Sequence, residues 1–144
     1  MKINIKRLKK NAFIPTQGNK GDAGYDLYAC IDEDVVIQPK ETAMIPTGLA
    51  IAIPDGYFGA VFARSGLASK QGLRPANCVG VCDASYRGEY IVALHNDSLA
   101  SRTVKHGDRI AQLVVIPFLS VEFNEVDELS KTDRGDGGFG STGR

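Results

Sequence analysis

Between Asn77 and Glu89 the chain reads NCVGVCDASYRGE, and Asp83 closes its apolar run just ahead of Ala84-Ser85-Tyr86-Arg87-Gly88. A carboxylate at the mouth of such a hairpin can draw a proton from water; an Asp opening a turn also serves simply as a side-chain cap on the backbone. A second cluster is ARSGLASKQG, Ala63 to Gly72, which sets the Arg64 guanidinium and the Ser65 hydroxyl beside Gly66, with Ser69 and Lys70 following. At a turn these groups and the freed N–H groups can hold phosphate oxygens, and the same residues equally make an ordinary capped turn. The sharpest signal is RGDGGFGSTG near the C-terminus. Its glycines, Gly140 among them, let backbone N–H groups approach an anion closely. Arg134 supplies a two-pronged donor, Ser141 and Thr142 add hydroxyls, and Phe139 offers a flat face to a ring. Together they suit a phosphorylated aromatic molecule such as a nucleotide; the plainer alternative is a flexible tail in which Phe139 is incidental.

DAGYDL, Asp22 to Leu27, and HGDRIAQLVV, His106 to Val115, complete the set. Arg109 and Gln112 fall within an otherwise apolar strand, where a buried polar group must find a partner. Strict alternation puts Ile110 and Gln112 on one face and Arg109 and Ala111 on the other, which separates the two polar side chains in role.

Other motifs fail on context. Gly135, Gly137 and Gly140 satisfy G-x-G-x-x-G, but no βαβ unit surrounds them, and no G-x-x-x-x-G-K-[ST] is present. Arg134-Gly135-Asp136 matches an adhesion tripeptide without a secretion signal to support it. Cys78 and Cys82 could be half of a zinc site, but there is no second Cys pair, and His95 and His106 lie outside tight ligand spacing.

Positioning these groups falls to short apolar pieces punctuated by Gly and Pro. Ile3 and Ile5 alternate with Lys; Val35 to Ile37, Met44 to Ile53, Tyr57 to Ala63, Glu89 to Leu94 and Arg109 to Phe118 are strand-sized; Val121 and Phe123 alternate with Glu122 and Asn124. One helical turn or two is expected over Ser65 to Gln71, with Ser65 as its cap. Many short strands with at most one short helix predict an all-β fold: a sandwich, jelly roll or small barrel. From Ser130 to Arg144 five of fifteen residues are Gly, too many for a core. Residues 130–144 are expected to form a mobile C-terminal arm that stays disordered or closes over something.

Composition bounds the answer further. At 144 residues and 15.5 kDa, residues 1–144 are expected to form a single domain. Lys+Arg 17 balances Asp+Glu 17, so no net charge draws the chain to nucleic acid or to an anionic membrane. No apolar run approaches the ~18 residues of a membrane span, and the N-terminus has no signal-peptide apolar block. A cytoplasmic protein with reduced thiols is expected, since three Cys are an odd number for a disulfide framework.

In order, DAGYDL, ARSGLASK, the block from Asn77 to Gly88, DRIAQLVV and RGDGGFGSTG resemble the five motifs of the trimeric dUTP pyrophosphatases, the dUTPases. The resemblance spans nearly the whole chain. It implies a jelly-roll subunit, a homotrimer with active sites at subunit interfaces, and Mg2+-dependent hydrolysis of dUTP to dUMP and pyrophosphate, which keeps uracil out of DNA and supplies dUMP for thymidylate. By position, Asp83 resembles the carboxylate that activates the attacking water, and Tyr86 the ring that packs under the deoxyribose and excludes a 2′-hydroxyl. Asn77 and the backbone of the hairpin it begins, Gly80 included, would read uracil. Arg64, Ser65, Gly66 and Gln112 are similar to the phosphate-binding residues, with Asp26 and Arg109 in supporting positions. Arg134, Phe139, Gly140, Ser141 and Thr142 look like the arm that closes on the nucleotide from another subunit. The family holds Mg2+ through the phosphates and waters, with no direct protein ligand. Two departures are small: Cys82 stands where a larger aliphatic is common, and Asp136 where another polar residue is usual. A related alternative on the same fold, the dCTP deaminases, carries a catalytic Glu ten residues after the equivalent of Asp83; here that position is Ala93. A non-catalytic nucleotide sensor is the alternative from another class.

Overall fold

Gly48, with φ of 69°, breaks the apolar run from Met44 to Ile53 into two strands. Side chains other than glycine's disfavour that φ, and a Cβ there would sit 2.8 Å from both the Ala12 Cβ and the Cys30 Sγ. The computed structural model describes residues 1–138. It contains β1 (Asn4–Arg7), β2 (Tyr25–Tyr28), β3 (Val35–Ile37), β4 (Thr42–Pro46), β5 (Leu49–Ala52) and β6 (Tyr57–Phe62), then α1 (Ser65–Gln71). After the helix come β7 (Leu73–Pro75), β8 (Val79–Cys82), β9 (Ile91–Asn96), β10 (Arg102–Val104) and β11 (Arg109–Pro117).

The strands form four antiparallel groups: β2-β11-β6-β8, β4-β9-β7, β1-β5 and β10-β3. Their inward-facing side chains share one core that includes Leu27, Ile37, Ile45, Leu49, Leu94 and Ile110, all at most 2% exposed. At roughly 25 cal/mol per Å2 of apolar surface removed from water, each such side chain contributes about 1.5–3 kcal/mol. Two buried polar side chains are fully engaged. Thr47 Oγ1 donates to the Tyr90 carbonyl at 2.6 Å. Asn96 Nδ2 donates to the carbonyls of Ile37 and Ala100, while its Oδ1 accepts from the Ser98 amide and hydroxyl. With those bonds made, burial of the two groups carries no unsatisfied cost.

Three expectations are corrected. Val121 to Asn124 forms no strand: it pairs with no strand among the described residues, and Val121 and Phe123 are exposed. Ser65 does not cap α1: the extended residue before the helix is Arg64, no side chain caps it, and the Ser65 carbonyl accepts from Ser69 Oγ. The helix ends at Gly72, whose φ of 70° is the left-handed conformation that closes a helix C-terminus. The Asp83 turn is not a two-stranded hairpin either: β8 pairs with β6, whereas β9 pairs with β4 and β7, so the turn crosses from one sheet to another. No described helix is long and apolar enough to cross a membrane.

Candidate active site

The phosphate-type residues gather at one end of the four-stranded sheet. Asp26 on β2 lies opposite Gln112 on β11 in the ladder. Arg64, directly after β6, donates Nε to Asp26 Oδ1 at 2.7 Å, and Arg109 donates Nη1 to Asp26 Oδ2 at 3.3 Å. Two guanidiniums around one carboxylate keep further N–H edges, which suit an anion. The first amides of α1, at Ser65 and Gly66, open on the same cleft of about 520 Å3, and amides of a first turn have no partner within the helix.

Gln112 donates Nε2 to the Ala63 carbonyl at 2.8 Å, fixing the strand end from which Arg64 projects. Gly24 makes room for it, because a Cβ on Gly24 would press into Gln112 Oε1. Asp22 on the rim turns its carboxylate to the Asn19 amide at 2.8 Å and pins the preceding turn.

Arg109 and Gln112 thus share one cleft, contrary to the separation that strict alternation implied. The register between β11 and β2 shifts between Arg109 and Ala111. This bulge turns Ile110 and Ala111 both into the core, at 2% and 0% exposure, and brings Arg109 to the Gln112 side.

The second group lines a cavity of about 400 Å3 between the two larger sheets. Asn77 lies over Gly80: a Cβ on Gly80 would come 3.6 Å from Asn77 Nδ2 and 3.2 Å from the Val61 Cβ. Asp83 is exposed at the cavity's mouth, and its carboxylate accepts no hydrogen bond from the described residues. Its own carbonyl accepts the Tyr86 amide at 3.0 Å, closing the turn. The Tyr86 hydroxyl donates to the Glu89 carbonyl at 2.9 Å and its ring lies against Gly88, where a Cβ would collide with it. Glu89 Oε1 accepts the Gly48 amide at 2.7 Å and ties the far end of the turn to β5.

Behind these groups Tyr90 is buried, its ring centroid 6.1 Å from that of Tyr86. The Tyr90 hydroxyl has no hydrogen-bond partner of ordinary geometry among the described residues; the Cys82 thiol lies alongside it. Burial pushes the Tyr90 phenol far above its usual value and raises the Cys82 thiol as well, so both are neutral at pH 7.

The two cavities share no lining residue. Asp26 and Leu27 are neighbours on β2 and point to opposite faces, the first into the cleft and the second into the cavity. Among the expected site residues, Asp26, Arg64, Ser65, Gly66, Arg109 and Gln112 therefore form one group and Asn77, Gly80, Asp83 and Tyr86 another. Arg134 lines neither; it donates Nε to the Gly137 carbonyl at 2.8 Å in an exposed turn. Phe139, Gly140, Ser141 and Thr142 lie outside the described residues. Sequence reasoning missed Gly24 and Gly88 as space-makers, although glycines beside Gln112-type and Tyr86-type partners are the signal that only pairing reveals. Among the described residues no three His, Cys, Asp or Glu side chains gather as a metal-binding group.

The sequence profile of the dUTPase family matches residues 10–143. The deoxyuridine 5'-triphosphate nucleotidohydrolase of Desulfitobacterium hafniense is 51% identical over 144 residues, covering 99% of this chain and 95% of that protein. The corresponding protein of Burkholderia cenocepacia is 43% identical over 147 residues, covering 100% and 99%. The solved structure of a Staphylococcus bacteriophage 80alpha dUTPase variant with dUpNHpp superposes with a TM-score of 0.90 at 34% identity, over 99% of each chain. This likeness identifies the strand arrangement as a jelly-roll-like β fold.

Proposed function

The chain belongs to the dUTPase family and is a dUTP diphosphatase, and from that premise we propose how its residues divide the work of hydrolysing dUTP to dUMP and pyrophosphate. The observation that carries the proposal is the contrast between the two cavities: a carboxylate without a hydrogen bond from the described residues at the mouth of one, and two guanidiniums held by a shared carboxylate in the other.

Asn77 and the backbone at Gly80 bind uracil. Groups that complement uracil N3–H and its carbonyls are left unpaired against cytosine, and a backbone close to C5 rejects the thymine methyl. Tyr86, held over Gly88 by its bond to the Glu89 carbonyl, packs under the deoxyribose and leaves no space for a 2′-hydroxyl. Arg64, Ser65, Gly66 and Gln112 hold the triphosphate, with Asp26 and Arg109 fixing the Arg64 guanidinium. Asp83 takes the proton of a water that attacks the α-phosphorus in line, a role that typically contributes about 10²- to 10⁴-fold. Arg134, Phe139, Gly140, Ser141 and Thr142 close on the bound nucleotide, and a stacked Phe139 adds about 1–3 kcal/mol without choosing among bases.

The donor set fits Mg2+ only by way of the substrate, because Asp26 is already taken by two guanidiniums and no carboxylate cluster stands beside it among the described residues. Held through the substrate rather than by this chain's side chains, Mg2+ would supply neutralisation of negative charge on the pyrophosphate.

Because the base cavity and the phosphate cleft open on opposite faces of one sheet, the complete site takes its halves from different chains of a homotrimer. The exposed apolar side chains Leu119, Val121, Phe123 and Leu129 after β11 support a segment that rests on a partner copy. Deamination of dCTP is disfavoured by Ala93, which lines the base cavity where that chemistry needs a carboxylate. The test is pyrophosphate release from dUTP, dTTP, dCTP and UTP with and without Mg2+. Selective release from dUTP supports the proposal; ammonia from dCTP, or binding of dUTP without turnover, overturns it.

A further inference from the structure

The turn that carries Asn77 is strained. Cys78 has a φ of 62°, in the region that L side chains rarely adopt, and across it the Val79 amide donates to the Asn77 carbonyl at 2.6 Å. A three-residue turn with positive φ at its centre is rare and costly, and such strain persists only where the surroundings over-determine it.

Here one side chain supplies much of that constraint. Arg74, on β7, donates Nη1 to the Pro75 carbonyl at 3.1 Å and to the Ala76 carbonyl at 3.3 Å, and the same nitrogen lies 3.8 Å from Cys78 Sγ. Its other edge grips Asp97: Nε donates to Oδ2, and Nη2 to Oδ1 at 3.4 Å. Asp97 is itself anchored, its amide donating to the Gly72 carbonyl at 2.8 Å and its own carbonyl accepting Lys40 Nζ. The hydrogen bond from Arg74 holds the Asp97 carboxyl below its usual value, so the pair is fully ionised at neutral pH.

We propose that Arg74 is a positioning residue for base recognition, clamping the Pro75–Cys78 turn so that the Asn77 amide stays over Gly80 in the cavity that receives uracil. The inference rests on the reading of Asn77 as the residue that reads the base. Arg74 does not itself line that cavity; it acts through the turn. A forked planar guanidinium suits the task because it holds a carboxylate on one edge and two carbonyls on the other, which a point-charge ammonium cannot do.

Steady-state kinetics of the full chain test this. Arg74→Met is expected to raise the KM for dUTP about tenfold, leave kcat within about twofold, and narrow the preference for dUTP over dCTP. Arg74→Lys restores little of that loss, and Asp97→Asn moves KM in the same direction should Arg74→Met fail to fold. In a Cys78→Gly background, where the left-handed conformation is free of strain, Arg74→Met raises KM by less than it does alone. A lowered melting temperature with KM and base preference unchanged, a fall confined to kcat, or full additivity with Cys78→Gly each overturns the inference. If the parent protein does not hydrolyse dUTP, the proposed function fails; if it does and base preference ignores Arg74, this inference alone fails.

Discussion

Arg64 Nε donates to Asp26 Oδ1 at 2.7 Å, with both side chains largely shielded from water. The other carboxylate oxygen accepts from Arg109, so Asp26→Asn loses a charged partner for two guanidiniums at once. A hydrogen bond to a charged group contributes about 1.5–3 kcal/mol, which corresponds to roughly a ten- to hundredfold loss in kcat/KM. Pyrophosphate release against dUTP concentration checks this; an unchanged kcat/KM contradicts the role given to Asp26.

Asp83→Asn is expected to bind dUTP as the parent does while losing about 10²- to 10⁴-fold in kcat. Arg64→Ala weakens the phosphate cleft instead. When the two variants are unfolded and refolded together in equal amounts, about a quarter of the interfaces pair an intact base cavity with an intact cleft. Recovered activity in the mixture, with none in either variant alone, is the expected outcome.

Gly24→Ala should harm activity more than stability. The added methyl displaces the Gln112 carboxamide from the Ala63 carbonyl and so loosens the strand end that aims Arg64. The expected result is an increase in the KM for dUTP with a melting temperature only a few degrees lower, read by kinetics and thermal denaturation side by side.

Tyr90→Phe removes a buried hydroxyl that makes no hydrogen bond of ordinary geometry among the described residues, with only the weakly polar Cys82 thiol alongside. Deleting an unsatisfied polar atom is nearly neutral or stabilising, so the melting temperature is expected to hold or rise. A marked fall would show that the hydroxyl is engaged.

Thiol labelling at pH 8 should show one fast cysteine per chain. Cys78 is exposed, whereas Cys30 and Cys82 are shielded and burial raises both thiols. Only the thiolate reacts, and a raised value lowers its fraction at any given pH. Labelling of Cys30 and Cys82 therefore accelerates only as pH rises further, which mass spectrometry of a labelling time course resolves.

Strand-sized apolar pieces between Gly and Pro made the all-β fold legible in the sequence, and the helix over Ser65–Gln71 was legible from the helix-favouring Ala68 and Lys70, although Ser65 is not its cap. What stayed hidden depends on pairing. The bulge that brings Arg109 beside Gln112 exists only against β2, so a period-two reading of β11 alone sends the two apart. The Asp83 turn looks like a hairpin because apolar runs flank it, yet those runs belong to different sheets. Val121 to Asn124 has the alternation of a strand but pairs with no strand among the described residues. Among the candidate site residues, Arg64, Ser65, Gly66, Asn77, Asp83 and Tyr86 could be proposed from residue type and motif order, whereas their division between two faces could not.

The cavity of Asp83 and the cleft of Arg64 look away from each other across β6 and β11, and on the proposed assembly this would tie turnover to abundance. On the proposed assembly, dilution past the point where copies part separates the two halves of each site and silences hydrolysis. In that case the rate per chain would fall on dilution with no effector molecule involved.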